Sequence, residues 1–231
     1  MIKQQLSMFD LPKGKEVRRI TGADAKPFLL DIHYARRIPS ITDAFGLFVD
    51  GELVGVVTYG IPASPTLCIG IAGEENQYNV KELNRLVIRP EFSGKDNYAS
   101  YLVSHSLKML DNNTFVVSYA DTAWTHVGYI YQATNFLYTG KTKERTDIYT
   151  GEGKHSRHYT DEERDSRQRQ WRSAKHRYVY LVGDKRTRKR MLSELNYPIV
   201  KEYPKGDEVR YDTKNPQQVL RGENNGLLER T

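Results

Sequence analysis

The segment Tyr119–Gly140, YADTAWTHVGYIYQATNFLYTG, concentrates a carboxylate, a histidine, a tryptophan and four tyrosines directly after an apolar run, TFVVS. Asp121 falls at the carboxyl end of the strand this run predicts, where α/β sheets collect reacting groups. A carboxylate there can take a proton from an amine, and a tyrosine, Tyr129 or Tyr131 on the following helix, can return one to a leaving group. Asp121 reads equally as a structural cap, a role that Thr122 or Thr125 could share at the following helix. His126 stays open between proton carrier and packed residue, and Trp124 between core and stacking platform.

Two further clusters carry chemistry. IHYARRIPS groups His33, Tyr34, Arg36 and Arg37. An aromatic ring beside guanidinium groups can stack on a base and hold phosphate, although basic side chains also suit a solvated helix end. In ELNRLVI, Arg85 lies between apolar neighbours and must find a carboxylate or phosphate. The loop RPEFSGKDNYAS offers Ser93, Gly94, Lys95 and Asn97 where a strand hands over to a helix, and backbone N–H groups at such a junction suit a donor's phosphate. Its single glycine also reads as an ordinary turn, so coenzyme A is permitted there rather than indicated. The histidines form no ligand set with each other or with Cys68, and no metal is expected.

These residues need a scaffold. A short strand is expected at Glu16–Ile20, then a helix through ADAKPFLLDIHYA, capped at Thr21 or Asp24 with Pro27 in its first turn. AFGLFVDGELVGVVTYG predicts two strands joined at Asp50–Gly51. IPASPTLCIGIAGEENQ reads as a Pro/Gly-rich connection holding a core cysteine, and KELNRLVIRP as a strand. NYASYLVSHSLKML is a helix by spacing, TFVVSYAD a strand, HVGYIYQATNF a helix and FLYTGKTKERTDIYTG a strand pair. Beyond the charged stretch 152–175 follow a strand at HRYVYLVGD, a basic helix at KRTRKRMLSEL and a final strand at YPIVKEYPKG. The division expected is a loose arm over 1–15, a catalytic core over 16–151, a basic extension over 152–215 that packs on the core and contacts nucleic acid, and a frayed tail over 216–231.

The fold class is α/β (α+β): a mixed central sheet with helices on its faces. No apolar run is long enough to span a membrane, the N-terminus lacks a signal-peptide core, and one cysteine fits a reducing cytoplasm. Charge is uneven. Residues 141–231 carry 22 Lys and Arg against 15 Asp and Glu, whereas residues 1–140 carry 13 against 14. The basic third, with Arg167, Arg169, Arg172, Lys185, Arg186 and Arg188, fits either a polyanion or a solvated face.

The element order resembles the GNAT-type N-acetyltransferase superfold. The motifs HY-x-x-R-x-P at His33, LNRLVI at Arg85, and SYAD followed by H-x-G-x-IYQA-x-NF-x-Y-x-G resemble the Mom family of Mu-like bacteriophage DNA-modification proteins, over roughly residues 28–195. That resemblance implies conversion of adenine in DNA to N6-carbamoylmethyladenine, protecting phage DNA from restriction in the host cytoplasm. It implies roles for His33, Tyr34, Arg85, Asp121 and Tyr131, with Tyr59 and Ser100 on looser spacing. Acetyl-CoA is one donor; an activated glycine such as glycyl-tRNA is the other, making tRNA a partner beside DNA with a flipped adenine. The remaining alternatives are an acyltransferase acting on a protein or small-molecule amine, and a DNA-binding protein without activity.

Overall fold

The computed structural model describes residues 14–94, 96–149, 159–160, 162–163, 168–206 and 227–228. Most of the arm and tail, together with Lys95 and Arg167, therefore lie outside the described residues. Seven strands form one mixed sheet in the order β1 (Lys15–Arg19), β2 (Asp43–Val49), β3 (Glu52–Gly60), β4 (Val80–Ile88), β5 (Thr114–Asp121), β9 (Lys175–Val182), β6 (Leu137–Lys141). Only β4 and β5 pair in parallel. A small antiparallel sheet joins β7 (Arg145–Ile148), β8 (Arg169–Arg172) and β10 (Leu227–Leu228). The sheet fits the expected mixed α/β class. Strand β9 sits between β5 and β6, so residues read as a C-terminal extension complete the central sheet. No helix among the described residues is long and apolar enough to cross a membrane.

Helices cover both faces. α1 (Gly22–Pro27), α2 (Pro65–Asn76) and α5 (Lys185–Glu194) pack on one side, and α3 (Tyr98–Leu107) and α4 (Tyr129–Ala133) on the other. Thr21 caps α1 in a reciprocal box with Asp24. Pro27 ends α1 instead of opening it, and the chain widens into a π turn over Phe28–Ile32, because proline cannot donate to the helical ladder. That turn releases His33 into an extended conformation (φ −70°, ψ 133°). At the hairpin, Asp50 (φ 48°) and Gly51 (φ 83°) supply the positive angles a two-residue turn requires.

Three expectations change. The Pro/Gly-rich connection contains α2, whose Cys68, Ile71 and Ala72 are buried at helical spacing; its proline occupies the first turn and Gly73 (φ 77°) the kink. α4 is one short turn, bounded by left-handed Gly128 and Asn135. YPIVKEYPKG forms no strand; it lies along the β6 side, with Val200 N–H donating to the Tyr138 carbonyl (2.8 Å) and Tyr203 hydroxyl to the Phe136 carbonyl (2.7 Å).

One irregularity organises the centre. Against β3, Thr58 aligns with Arg85 but Tyr59 with Leu83, leaving Asn84 as a bulge. Strict alternation would put Val80 and Val87 on opposite faces, yet both pack toward the α1/α2/α5 layer, while Leu83, Leu86 and Ile88 pack toward α3. The extra residue reverses the alternation. Asn84 is pinned, accepting from the Thr58 hydroxyl (2.6 Å) and donating to the Ser40 carbonyl (2.8 Å). Ser40 crosses so close to β3 that a methyl group on Gly60 would overlap its carbonyl oxygen. Gly60→Ala is expected to destabilise the protein by about 2 kcal/mol, read as a lower urea midpoint at unchanged slope.

Candidate active site

β4 and β5 form ladder bonds only between Val80–Glu82 and Phe115–Val117, although β4 continues to Ile88 and β5 to Asp121. Beyond Val117 the strands part, opening a cleft at their carboxyl ends, where open α/β sheets bind ligands. Ser118 bridges the gap by donating to the Leu83 carbonyl (2.9 Å), and the Tyr131 hydroxyl lies close enough for Ser118 to influence it. Burial pushes the Tyr131 phenol up to about 12, so it stays protonated as a donor at neutral pH. It reaches the gap from the α4 side.

The bulge places Glu82 and Arg85 on the same face, toward α1 and α2. Arg85 Nη1 donates to the Asn84 carbonyl (2.6 Å), while its buried Nε has no partner among the described residues. Burial lowers the guanidinium pKa, with Tyr34, Arg37 and Glu82 as its electrostatic neighbours. A buried donor without a partner costs stability. This geometry leaves the Nε edge of Arg85 without a hydrogen-bond partner among the described residues, while the side chain as a whole is half-buried.

His33 and Tyr34 close the cleft from the α1 side. His33 is buried, its Nδ1 accepts from the Ala35 N–H (3.0 Å), and its ring stacks on Tyr34 at 4.3 Å. Tyr34, 41% exposed, continues to Trp124, with centroids 5.2 Å apart. Burial, aided by the Arg85 charge, holds His33 down at about 3. It is therefore neutral, with its proton on Nε2. The unfolded chain binds that proton below about pH 6.5, so stability falls as pH drops from there toward 3. Urea titrations from about pH 7 to about pH 5 should lose stability more steeply than in His33→Asn, by up to about 1.4 kcal/mol per pH unit.

Asp121 is heavily engaged. It pairs with Lys175 (Oδ2 to Nζ 2.8 Å), accepts from the Ser173 hydroxyl, and caps the turn after β5 through the Ala123 N–H (3.0 Å). Burial raises its pKa, but Lys175, Ser173 and Ala123 outweigh that and hold the carboxyl below its ordinary value. The cap geometry read from sequence is present, on Asp121 itself. Its side shares the face of Glu82 and Arg85 by strand alternation, whereas Tyr131 and Ser118 belong to the other face and meet this group only through the gap. His126 lies beside Asp121, whose charge partly opposes the lowering of its pKa by burial.

Other sequence candidates fall elsewhere. Tyr59 is wholly buried in the core, its hydroxyl 2.7 Å from Ser106 Oγ, and does not line the cleft. Ser100 donates to the Asn97 carbonyl (3.0 Å) in the first turn of α3. Ser93, Gly94 and Asn97 are exposed in the loop leading into α3, with Gly94 (φ 74°) and Asn97 (φ 53°) left-handed. Arg36 and Arg37 are exposed beside Tyr34. Arg169 hydrogen-bonds Thr146 (3.0 Å) and Arg172 pairs with Asp147 (3.5 Å) across β7 and β8. Lys185, Arg186 and Arg188 project from α5, the layer on the cleft side of the sheet.

Sequence reading missed Glu82, Ser118, Ser173 and Lys175. Glu82 precedes Arg85 by three positions, which regular strand alternation puts on opposite faces; only the bulge unites them. Lys175 faces Asp121 through the β5–β9 register, a pairing that no local pattern announces.

Comparison with known proteins agrees with the motifs. The Mom protein family model matches residues 15–205. The chain is 27% identical over 150 residues to methylcarbamoylase mom of Escherichia phage Mu, a match covering 62% of this chain and 61%, under two thirds, of that protein. Among solved structures, it is similar to an N-acetyltransferase from Staphylococcus aureus Mu50 (13% identity, 74% of this chain and 99% of that chain, TM-score 0.45). Another is Arabidopsis thaliana NAA60 in complex with acetyl-CoA (14% identity, 73% and 99%, TM-score 0.46). With most of its length matched, and HY-x-x-R-x-P, LNRLVI and SYAD all meeting at the cleft, the chain belongs to the Mom protein family.

Proposed function

We propose that the protein is a transferase that modifies adenine in DNA within the infected cell, forming N6-carbamoylmethyladenine by acyl transfer onto N6. The observation that carries this reading is the cleft itself: a guanidinium edge without a partner at Arg85 stands beneath the aromatic row His33, Tyr34 and Trp124. A flipped base finds stacking on the exposed Tyr34 ring, and Arg85 polarises an acyl carbonyl or holds a phosphate. The exposed basic residues of α5, with Arg36 and Arg37, supply phosphate contacts to the duplex.

Simple acetyl transfer does not give the carbamoylmethyl product. A glycyl ester, such as glycyl-tRNA, reaches it in two steps. Adenine N6 attacks the glycyl carbonyl and the ester bond breaks, releasing the carrier hydroxyl. The glycyl amine then attacks C6 through a five-membered spiro ring, the C6–N6 bond breaks, and the former N6 leaves as the amide nitrogen. Ser93, Gly94, Lys95 and Asn97 remain the donor-side loop of this proposal, and tRNA its second polyanionic partner. Nucleoside mass spectrometry after growth in 13C,15N-glycine tests it. Labelled modified deoxyadenosine supports the route, and a modified nucleoside without glycine label overturns the donor.

A further inference from the structure

Among the charged groups of the cleft in the described residues, Glu82 and the Nε edge of Arg85 are left without a hydrogen-bond partner. Asp121 is matched by Lys175, Ser173 and the Ala123 N–H. Glu82 is half-buried, with Arg85 and Lys175 as its electrostatic neighbours, and no group among the described residues hydrogen-bonds its carboxylate. Burial raises its pKa. Tyr119 from β5 and Tyr131 from α4 also face it, and their phenols stay protonated. Glu82 and Arg85 thus form an unpaired couple of opposite charges on one strand face, opposite Gly60 and Thr58, which are two β3 positions or about 7 Å apart. Left free, two such charges a few ångströms apart would pair directly; β4 fixes both backbones and the bulge sets the separation.

A ligand that satisfies both must present a cationic donor and an oxygen acceptor on adjacent atoms. An α-aminoacyl ester does so, with its amine on the carbon next to the carbonyl. We propose that Glu82 receives the amino group of the acyl donor while Arg85 holds its carbonyl, so that the cleft selects an aminoacyl ester over a plain acyl thioester. This rests on the adenine-modifying reading above. An acetyl group would set a methyl against the carboxylate and leave it desolvated without a partner. The same carboxylate serves the rearrangement. It takes a proton from the donor ammonium and gives it up to solvent; the freed amine forms its bond to C6, and the second proton this nitrogen then sheds passes through the carboxylate to the departing N6 as the C6–N6 bond breaks. One proton is released to solvent in all, and the only co-reactant is the aminoacyl ester.

The test supplies purified protein and duplex DNA with isotope-labelled glycyl-tRNA, N-acetylglycyl-tRNA or acetyl-CoA, and reads labelled deoxyadenosine adducts by mass spectrometry. Wild type should use glycyl-tRNA far better than either donor lacking a free amine. Glu82→Gln should lower conversion from glycyl-tRNA about 100-fold and narrow the preference for glycyl over N-acetylglycyl by at least about tenfold, with its melting curve intact. A merely structural Glu82 would lower all donors together, and that outcome overturns the proposal, as does equal or better use of acetyl-CoA by wild type. If plasmid DNA from co-expressing cells is modified but glycyl-tRNA gives no product, the donor assignment falls while the DNA reading stands. If co-expressed DNA is unmodified, both fall.

Discussion

Arg85→Met is expected to abolish adenine modification and to make the protein more stable. Activity should fall at least about 100-fold, the usual effect of removing a preorganised donor at a reacting carbonyl. Stability should rise by roughly 1 kcal/mol, since a desolvated guanidinium with an unsatisfied Nε is replaced by an apolar chain of similar length. By strand alternation Arg85 shares the face of Val87, and its removal also relieves the repulsion from Arg37. Arg85→Lys should be nearly as inactive, because an ammonium lacks the fork that bonds Asn84 and leaves a second edge free. Nucleoside mass spectrometry paired with calorimetry checks both halves. An active Arg85→Met variant, or one that melts early, would place Arg85 in the structural framework instead.

Asp121→Ala should also lose modification, but by the opposite route, with stability falling by about 2 to 3 kcal/mol as the cap and the charged hydrogen bonds disappear. Little of that loss comes from Lys175, which is 43% exposed. Ser173 and the turn beginning at Thr122, which positions Trp124, depend on the carboxylate directly. Asp121→Asn keeps an acceptor for Ala123 and should recover much of the stability while Lys175 loses its partner. The pH dependence has a definite sign. Asp121 has a depressed pKa in the fold, so its contribution is complete above the unfolded value near 3.9 and disappears as pH falls through the folded one. Urea midpoints of wild type and Asp121→Asn should therefore converge in acid and differ most at neutral pH. Equal pH profiles would contradict this assignment.

Legibility followed the range of the interactions. The Asp50–Gly51 hairpin, the Thr21 cap and the strands around Arg85 and Asp121 depend on neighbours along the chain, and the sequence shows them. α2 was hidden because glycine and proline counts outweighed the helical spacing of Cys68, Ile71 and Ala72. The strand expected at YPIVKEYPKG had suitable residues but no continuous partner, since the bond from Val200 is the single backbone–backbone one to β6 among the described residues. At the cleft, individual residue types were readable while their relations were not. Arg85 was recognisable as a cation in an apolar strand, whereas Glu82 joined it only through the Asn84 bulge. Asp121 stood open between cap and base, and it was the β5–β9 register, not any local pattern, that set Lys175 against it.

The most direct measurement is nucleoside mass spectrometry of plasmid DNA from cells expressing the wild-type chain or Arg85→Met. N6-Carbamoylmethyldeoxyadenosine is expected in the first sample and none in the second, with both proteins folded and equally abundant. Unmodified DNA beside folded wild-type protein, or the same nucleoside in both samples, would contradict this expectation.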